Sequence, residues 1–190
     1  MKTLLVVGDD KFGRKLINNI EIEKFEIILD KSSSIKRILK LIVKKRISLS
    51  LVCKMTFYNF LRKKQNLYNK YQCIKSNRDL IEIIKKKNIE QVVLFRGGLI
   101  INTRVLNLGI RILNIHCAKI PEYGGIGVIH RALQDKAHDQ EATLHIITSR
   151  IDEGEVITTE KYQLDDNISY GKNEDLAYNA GIRLFIKSFN

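Results

Sequence analysis

Tryptophan is absent, and proline occurs once in 190 residues, at position 121. No segment is low in complexity and none repeats at a fixed period, which excludes fibrous arrays and disordered linkers. The three cysteines, Cys53, Cys73 and Cys117, are odd in number and lack metal-like spacing. That usage excludes a disulfide framework and fits a reducing compartment. No apolar run approaches the roughly 20 residues that a membrane-spanning helix needs. At the start, MKTLLVVGDDKFG has one Lys before a short apolar run but no small-residue cleavage site. The run therefore reads as a first strand, and the protein as cytoplasmic.

Acid is missing from a long stretch. Between Lys31 and Arg78 stand 14 Lys or Arg and no Asp or Glu, whereas the other 142 residues hold 19 basic and 21 acidic side chains. The formal net charge of +12 thus belongs to one segment, and the near-neutral remainder argues against general nucleic-acid binding. Within the segment Ile35, Ile38, Leu39, Ile42 and Val43 keep helical spacing, with Lys36, Arg37, Lys40 and Lys44 between them. Segment 31–78 reads as basic and helical. It suits an anionic membrane surface, which would make the protein peripheral at the membrane, and equally a crossover helix pair with solvated lysines.

What is present is the pattern of a globular chain, 44% hydrophobic and 28% charged, long enough for one core and read as a single domain over 1–190. Apolar runs and helical spacings alternate. KTLLVVG, FEIILD, EQVVLF, IRILNIH, ATLHIIT and GEVITTEKYQL read as strands; FGRKLINNI, RDLIEIIKKKN, GVIHRALQD and NEDLAYNAGIRLFIKSF read as helices. In the last, Leu176, Ala180 and Leu184 are expected to share the inner face. The fold class that follows is α/β, a Rossmann-like, mostly parallel sheet flanked by helices.

Several sites compete. GDDKFGRK has two glycines at the spacing of a nucleotide-triphosphate loop, but Arg14 and Lys15 replace its Lys-Ser/Thr pair. Gly8 then reads as a tight strand-to-helix turn, and Lys11 as a residue that could meet a substrate phosphate at the helix start. The four histidines, His116, His130, His138 and His145, include no i, i+4 helical pair, so no metal is expected. Cys117 and His116 are neighbours on a strand and point to opposite faces, which argues against a Cys-His dyad. Asn114 and His116, two apart, share a face at the carboxyl end of their strand, where open α/β sheets bind ligands. Pro121 and the Gly124-Gly125 pair follow in a loop able to approach a ligand closely. Asn can donate to a developing oxyanion, His can move a proton, and Asp152 in RIDEGEV is a carboxylate able to orient the His. An ordinary polar strand end and acidic turn would look the same.

The stretch NIHCAKIPEYGGIGVIHRAL…ATLHIITSRIDEGEVI resembles the core of the formyltransferases that use 10-formyltetrahydrofolate. These act on methionyl-tRNA, glycinamide ribonucleotide or amino sugars. The resemblance implies that Asn114, His116 and Asp152 are the catalytic residues, and that Tyr123, Gly124 and Gly125 belong to a Pro-x-Tyr-x-Gly substrate loop. It implies a folate site from Gly98, Leu99, Ile100 and Ile101 in VVLFRGGLIINTRVL, with Ile151 and Gly154 from the second stretch. Thr143 and His145 match the family's strand pattern. Cys117-Ala118 stand where the family commonly has Pro-Ser, and Gln140-Glu141 replace its usual Thr-Gly. The implied reaction is direct attack of an amine on the formyl carbon of 10-formyltetrahydrofolate, with no metal.

Within the family, the methionyl-tRNA enzymes normally carry a further β-barrel domain, and the ribonucleotide enzymes a Gly/Ser-rich loop that GDDKFG does not match. An amino-sugar N-formyltransferase is therefore expected, acting on a nucleotide-linked sugar of surface-polysaccharide synthesis. The tRNA and glycinamide ribonucleotide readings, a silent folate- or nucleotide-sugar-binding protein and a homodimer all stay open.

Overall fold

The four residues Leu4 to Val7 have no solvent exposure at all, and they form the centre of strand β1 (Thr3–Gly8). Burial on both faces is what a near-continuous aliphatic run predicts for a parallel strand. The structure, a computed structural model, describes residues 1–32, 42–43, 48–62 and 71–189. Around β1 lie β2 (Phe25–Asp30), β3 (Gln72–Ile74), β4 (Gln91–Phe95), β5 (Arg111–His116), β6 (Asp139–Ile146) and β7 (Val156–Gln163). Their order is β3-β2-β1-β4-β5-β6-β7 in one seven-stranded sheet. The first five in that order are parallel, whereas β6 and β7 are antiparallel. The expected α/β fold with a mostly parallel sheet is what the chain forms.

Helices cover both faces. Phe12 and Leu16 of α1 (Lys11–Ile17), Leu51 of α2 (Leu49–Leu61), Ile129 of α5 (Val128–Gln134) and Leu184 of α6 (Tyr170–Phe189) pack with Leu5, Val7, Phe95 and Ile115. On the opposite face Leu80, Ile83 and Ile84 of α3 (Asn77–Lys87) and Val105 of α4 (Thr103–Leu106) pack with Leu4, Val6, Leu94 and Ile112. Strong local signals set α3: Ser76 and Asp79 form a reciprocal capping box, and Asn88 ends the helix in a left-handed conformation.

Three features differ from expectation. Strand β3 and helix α4 are too short to leave a periodic signal. In α6 the inner face runs through Asn173, Ala177, Ala180, Gly181 and Leu184, so Leu176 is exposed. Glu174 is also buried there, ion-paired with Arg62 at 2.7 Å. The amphipathic spacing over 35–44 lies almost wholly outside the described residues.

Candidate active site

The parallel strands end along one rim, and the turns there are tight. A Cβ on Gly8 would lie 2.3 Å from the Arg96 carbonyl, so glycine lets the ends of β1 and β4 meet. The register sets Leu94 of β4 beside Asn114 of β5, and Asn114 beside His145 of β6. Asn114 and His116 lie on the face of Ile112, whereas Cys117 packs with the opposite core. Burial pushes the Cys117 thiol up to about 12, and the thiol is inert as a nucleophile at neutral pH.

Asp152 enters from the turn after β6, its own backbone left-handed at φ 52°. One carboxylate oxygen, Oδ2, accepts the Gly125 N–H at 2.8 Å and lies 3.3 Å from His116 Nδ1. The other, Oδ1, lies 3.4 Å from Asn114 Nδ2 and 3.4 Å from His145 Nε2. One carboxylate therefore joins the strand residues, the turn and the glycine loop. The turn can reach the site because Gly154 has no side chain: a Cβ there would lie 1.7 Å from the Ile146 carbonyl.

His145 is 2% exposed and was not among the expected site residues. Its Nδ1 is 2.9 Å from the Ile146 carbonyl, which fixes that nitrogen as the protonated one. Nε2 is then left to accept from Asn114 Nδ2 at 3.1 Å. This holds the Asn114 amide with its N–H edge toward the carboxylate. The strand pattern places His145 on the buried face, but only the β5–β6 register brings it to Asn114.

Burial lowers the pKa of His116, opposed by the Asp152 charge and the Tyr123 carbonyl, which lies 2.8 Å from Nε2. Burial alone would raise the Asp152 carboxyl, but the His116 charge and the Gly125 N–H hold it below its usual range. The resting pair is thus a carboxylate beside an imidazole drawn toward neutrality. When His116 gains a proton, both of its nitrogens face an acceptor.

The loop after β5 is tied from several sides. Tyr162 Oη donates to the Cys117 carbonyl, Thr143 Oγ1 to the Ala118 carbonyl, and the Lys119 N–H to Gln140 Oε1. Both family departures meet here: Gln140 anchors the backbone that follows Cys117-Ala118. Ile120-Pro121 is a cis peptide, and Gly125 and Gly127 have φ 84° and 72°. Arg131 donates to the Gly124 carbonyl and lies 5.9 Å from the Tyr123 ring centre, while the Tyr123 hydroxyl donates to Asp135.

The other expected residues divide. Residues 98–101 follow β4, and Leu99 and Ile101 pack on the face that also carries Ile112. Asp30 shapes this turn, accepting the Leu99 N–H at 2.7 Å; no motif announced it. Ile100 and Ile151 are exposed, but Ile101 is buried against Leu94 and Val105 and serves the core instead of a ligand surface. Lys11 does not face an open phosphate site. Asp10 already accepts the N–H groups of Phe12 and Gly13 and pairs with Arg96, and Lys11 donates to the Phe60 carbonyl at 3.0 Å. Among the described residues no group of three His, Cys, Asp or Glu is placed to hold a metal ion.

A family model described as Formyl transferase matches residues 41–186. The chain belongs to the formyl transferase family. A methionyl-tRNA formyltransferase from Sulfurihydrogenibium sp. (strain YO3AOP1) is 27% identical over 115 residues, which cover 60% of this chain and 37% of that protein. The chain thus spans little more than a third of the length of the curated formyl transferases it matches. Among solved structures, phosphoribosylglycinamide formyltransferase from Anaplasma phagocytophilum superposes with a TM-score of 0.68 at 13% identity, over 98% of this chain and 83% of that one. A sugar N-formyltransferase from Shewanella sp. FDAARGOS_354 gives 0.63 at 17% identity, over 98% and 68%. At these identities the formyl transferase structures establish a shared fold.

Proposed function

We propose that this chain transfers the formyl group of 10-formyltetrahydrofolate to the amine of an amino sugar, with Asn114, His116 and Asp152 as the catalytic residues. The observation that carries this reading is the convergence of an amide, an imidazole and a carboxylate at one strand end, held by the Gly125 N–H and by His145. The donor is a substrate, consumed in each turnover. Ile151, next to Asp152, and Ile100, in the stretch after β4, are exposed and suit the flat face of a pterin.

In the proposed reaction the amine nitrogen forms a bond to the formyl carbon, and the carbonyl electrons move to oxygen. Asn114 Nδ2 keeps one N–H on His145 and turns the other from Asp152 Oδ1 to that oxyanion, to which His116 also donates once it carries a proton. Asp152 orients His116 through Nδ1 and takes up, directly or through water, the proton that leaves the attacking nitrogen. The bond from formyl carbon to the folate nitrogen then breaks, that nitrogen gains a proton, and the products are tetrahydrofolate and a formamide. His116 must give up the Tyr123 carbonyl to meet the oxyanion through Nε2.

Support for a sugar over glycinamide ribonucleotide comes from the first strand-to-helix turn, where the Asp10 carboxylate occupies the N–H groups a phosphate would use. Methionyl-tRNA is the second reading, favoured by the names of the curated relatives. The deciding experiment is a formyl-transfer assay with 10-formyltetrahydrofolate and a panel of nucleotide-linked amino sugars, glycinamide ribonucleotide and methionyl-tRNA. Turnover on one sugar alone, lost in His116→Ala, is the expected result; turnover on methionyl-tRNA alone would replace the sugar.

A further inference from the structure

Helix α2 carries two apolar faces. Leu51, Met55 and Tyr58 point inward, and Leu51 and Tyr58 press against Gly127 and Gly171 so closely that a Cβ at either glycine would overlap them. Leu49, Cys53, Phe57, Phe60 and Leu61 recur at i, i+4, i+8, i+11 and i+12, a stripe on the opposite side. All five are exposed, Phe57 by 57% and Phe60 by 83%. A helix apolar on two sides is ordinarily buried on both. Here no described residue covers the second.

The position of the stripe is fixed. Arg62 ends the helix by pairing with Glu174 at 2.7 Å and Asp175 at 2.8 Å, and by lying 4.8 Å over the Phe12 ring. Leu51 reaches Gly127 at the end of the Tyr123 loop, and the Phe60 carbonyl accepts from Lys11 at the start of α1. So α2 borders the rim where the parallel strands end, beside the catalytic cluster. Ile126, next to Gly127, adds a further exposed apolar side chain.

Charge decides what kind of surface this stripe meets. It lies inside the stretch from Lys31 to Arg78, with 14 basic and no acidic residues. A second copy of the chain would bring the same positive charge against it. A polyanion without an apolar phase would leave Phe57, Phe60 and Leu61 in water. Exposed aromatic and aliphatic side chains flanked by Lys and Arg match a helix lying in the interface of an anionic bilayer. We infer that the outer stripe of α2, set in this acid-free stretch of sequence, docks this protein on an anionic phospholipid surface. The inference does not depend on which amine is formylated.

Flotation of the full chain with vesicles of phosphatidylcholine, with and without phosphatidylglycerol, tests it. Retention is expected only with phosphatidylglycerol, and it should fall as salt rises. In Phe57→Ser/Phe60→Ser, with an unchanged unfolding transition, retention should drop about tenfold or more. Lys36→Gln, Arg37→Gln and Lys40→Gln should each weaken it about fivefold. Absence of retention on phosphatidylglycerol vesicles overturns the inference, and so does retention that ignores the two phenylalanines. Tighter binding to an RNA hairpin than to the vesicles, indifferent to the Phe pair, would assign the basic segment to nucleic acid instead.

Discussion

The His116 ring lies between two oxygens, Asp152 Oδ2 at 3.3 Å from Nδ1 and the Tyr123 carbonyl at 2.8 Å from Nε2. A buried imidazole so placed is short of one proton when neutral and satisfied when charged. Its environment opposes the charge and its partners invite it, which is the balance a group that gains and loses a proton during turnover needs.

Asp152→Asn tests the carboxylate with little change of shape. The amide oxygen can still accept the Gly125 N–H, so the loop should hold its place. The negative charge that favours protonated His116 disappears. The expected loss in kcat is about 10²- to 10⁴-fold, the usual range for proton-transfer groups, with the donor KM changed by far less. Single-turnover formyl transfer checks it; an Asn variant within a few-fold of the parent would remove Asp152 from the chemistry.

In the proposed reaction His145 acts through Asn114 as a positioning residue, so its substitution should lower kcat with little effect on KM. His145→Phe keeps a buried ring but removes the acceptor that fixes the amide, and the expected loss is about 10²-fold. His145→Gln returns an acceptor and should recover part of it. A purely structural role predicts instead that both variants lose stability and activity in parallel, which thermal unfolding beside the kinetics resolves.

Stability should fall on acidification in two windows. The pKa of His116 is lowered on folding, so the unfolded chain binds its proton first. Its contribution is fully present above about 6.5, the unfolded value, and is lost as pH falls from there through the folded value. The lowered Asp152 pKa adds a second loss below about 3.9. In His116→Gln the upper window should flatten while the lower one remains. Tm measured across pH in both proteins reads this, and an unchanged slope below pH 6.5 would mean that His116 is not drawn toward its neutral form.

The sheet was legible because its strands are buried on both faces and say so: LLVV, EIILD and QVVLF have no competing helical period. That Asn114, His116 and Asp152 would meet was legible from their chemistry and spacing together with the resemblance that covers the same stretch. What escaped depended on long-range register or on single side chains. His145 meets Asn114 only through an antiparallel pairing, and Asp30 caps the 97–99 turn from across β1. Lys11 misled because a helix start looks open in sequence until Asp10 is seen to fill it. Leu176 misled because the inner face of α6 takes in a charged residue, Glu174, whose buried place is matched by Arg62 from a distant helix.

Cysteine labelling separates burial from reactivity. Cys53 and Cys73 are exposed and Cys117 is buried, its thiol pushed up to about 12. In native protein a thiol reagent should modify Cys53 and Cys73 and leave Cys117 until the chain unfolds. Formyl transfer should survive in Cys117→Ser, at a stability loss of about 1–3 kcal/mol for a polar group placed among apolar ones. Loss of turnover with stability intact would revive the thiol as a participant.

Two glycines beside Asp152 should fail in different ways. At Gly125, φ is 84° and a Cβ would meet nothing within 4 Å, so Gly125→Ala meets backbone strain alone, about 1–2 kcal/mol. Asn, which tolerates the left-handed region better, should be milder there than Val. At Gly154 the obstacle is a collision, because a Cβ would lie 1.7 Å from the Ile146 carbonyl at the end of β6. Gly154→Ala must push the turn away from the strand, carrying Asp152 off His116 and Asn114. Its stability loss should exceed about 2 kcal/mol, and the kcat of the folded fraction should fall as in Asp152→Asn. Gly125→Ala should shift Tm and leave most of the rate. Denaturation curves and kcat for the two variants distinguish strain from displacement, and a Gly154→Ala enzyme of normal rate would show that the turn can settle without moving the carboxylate.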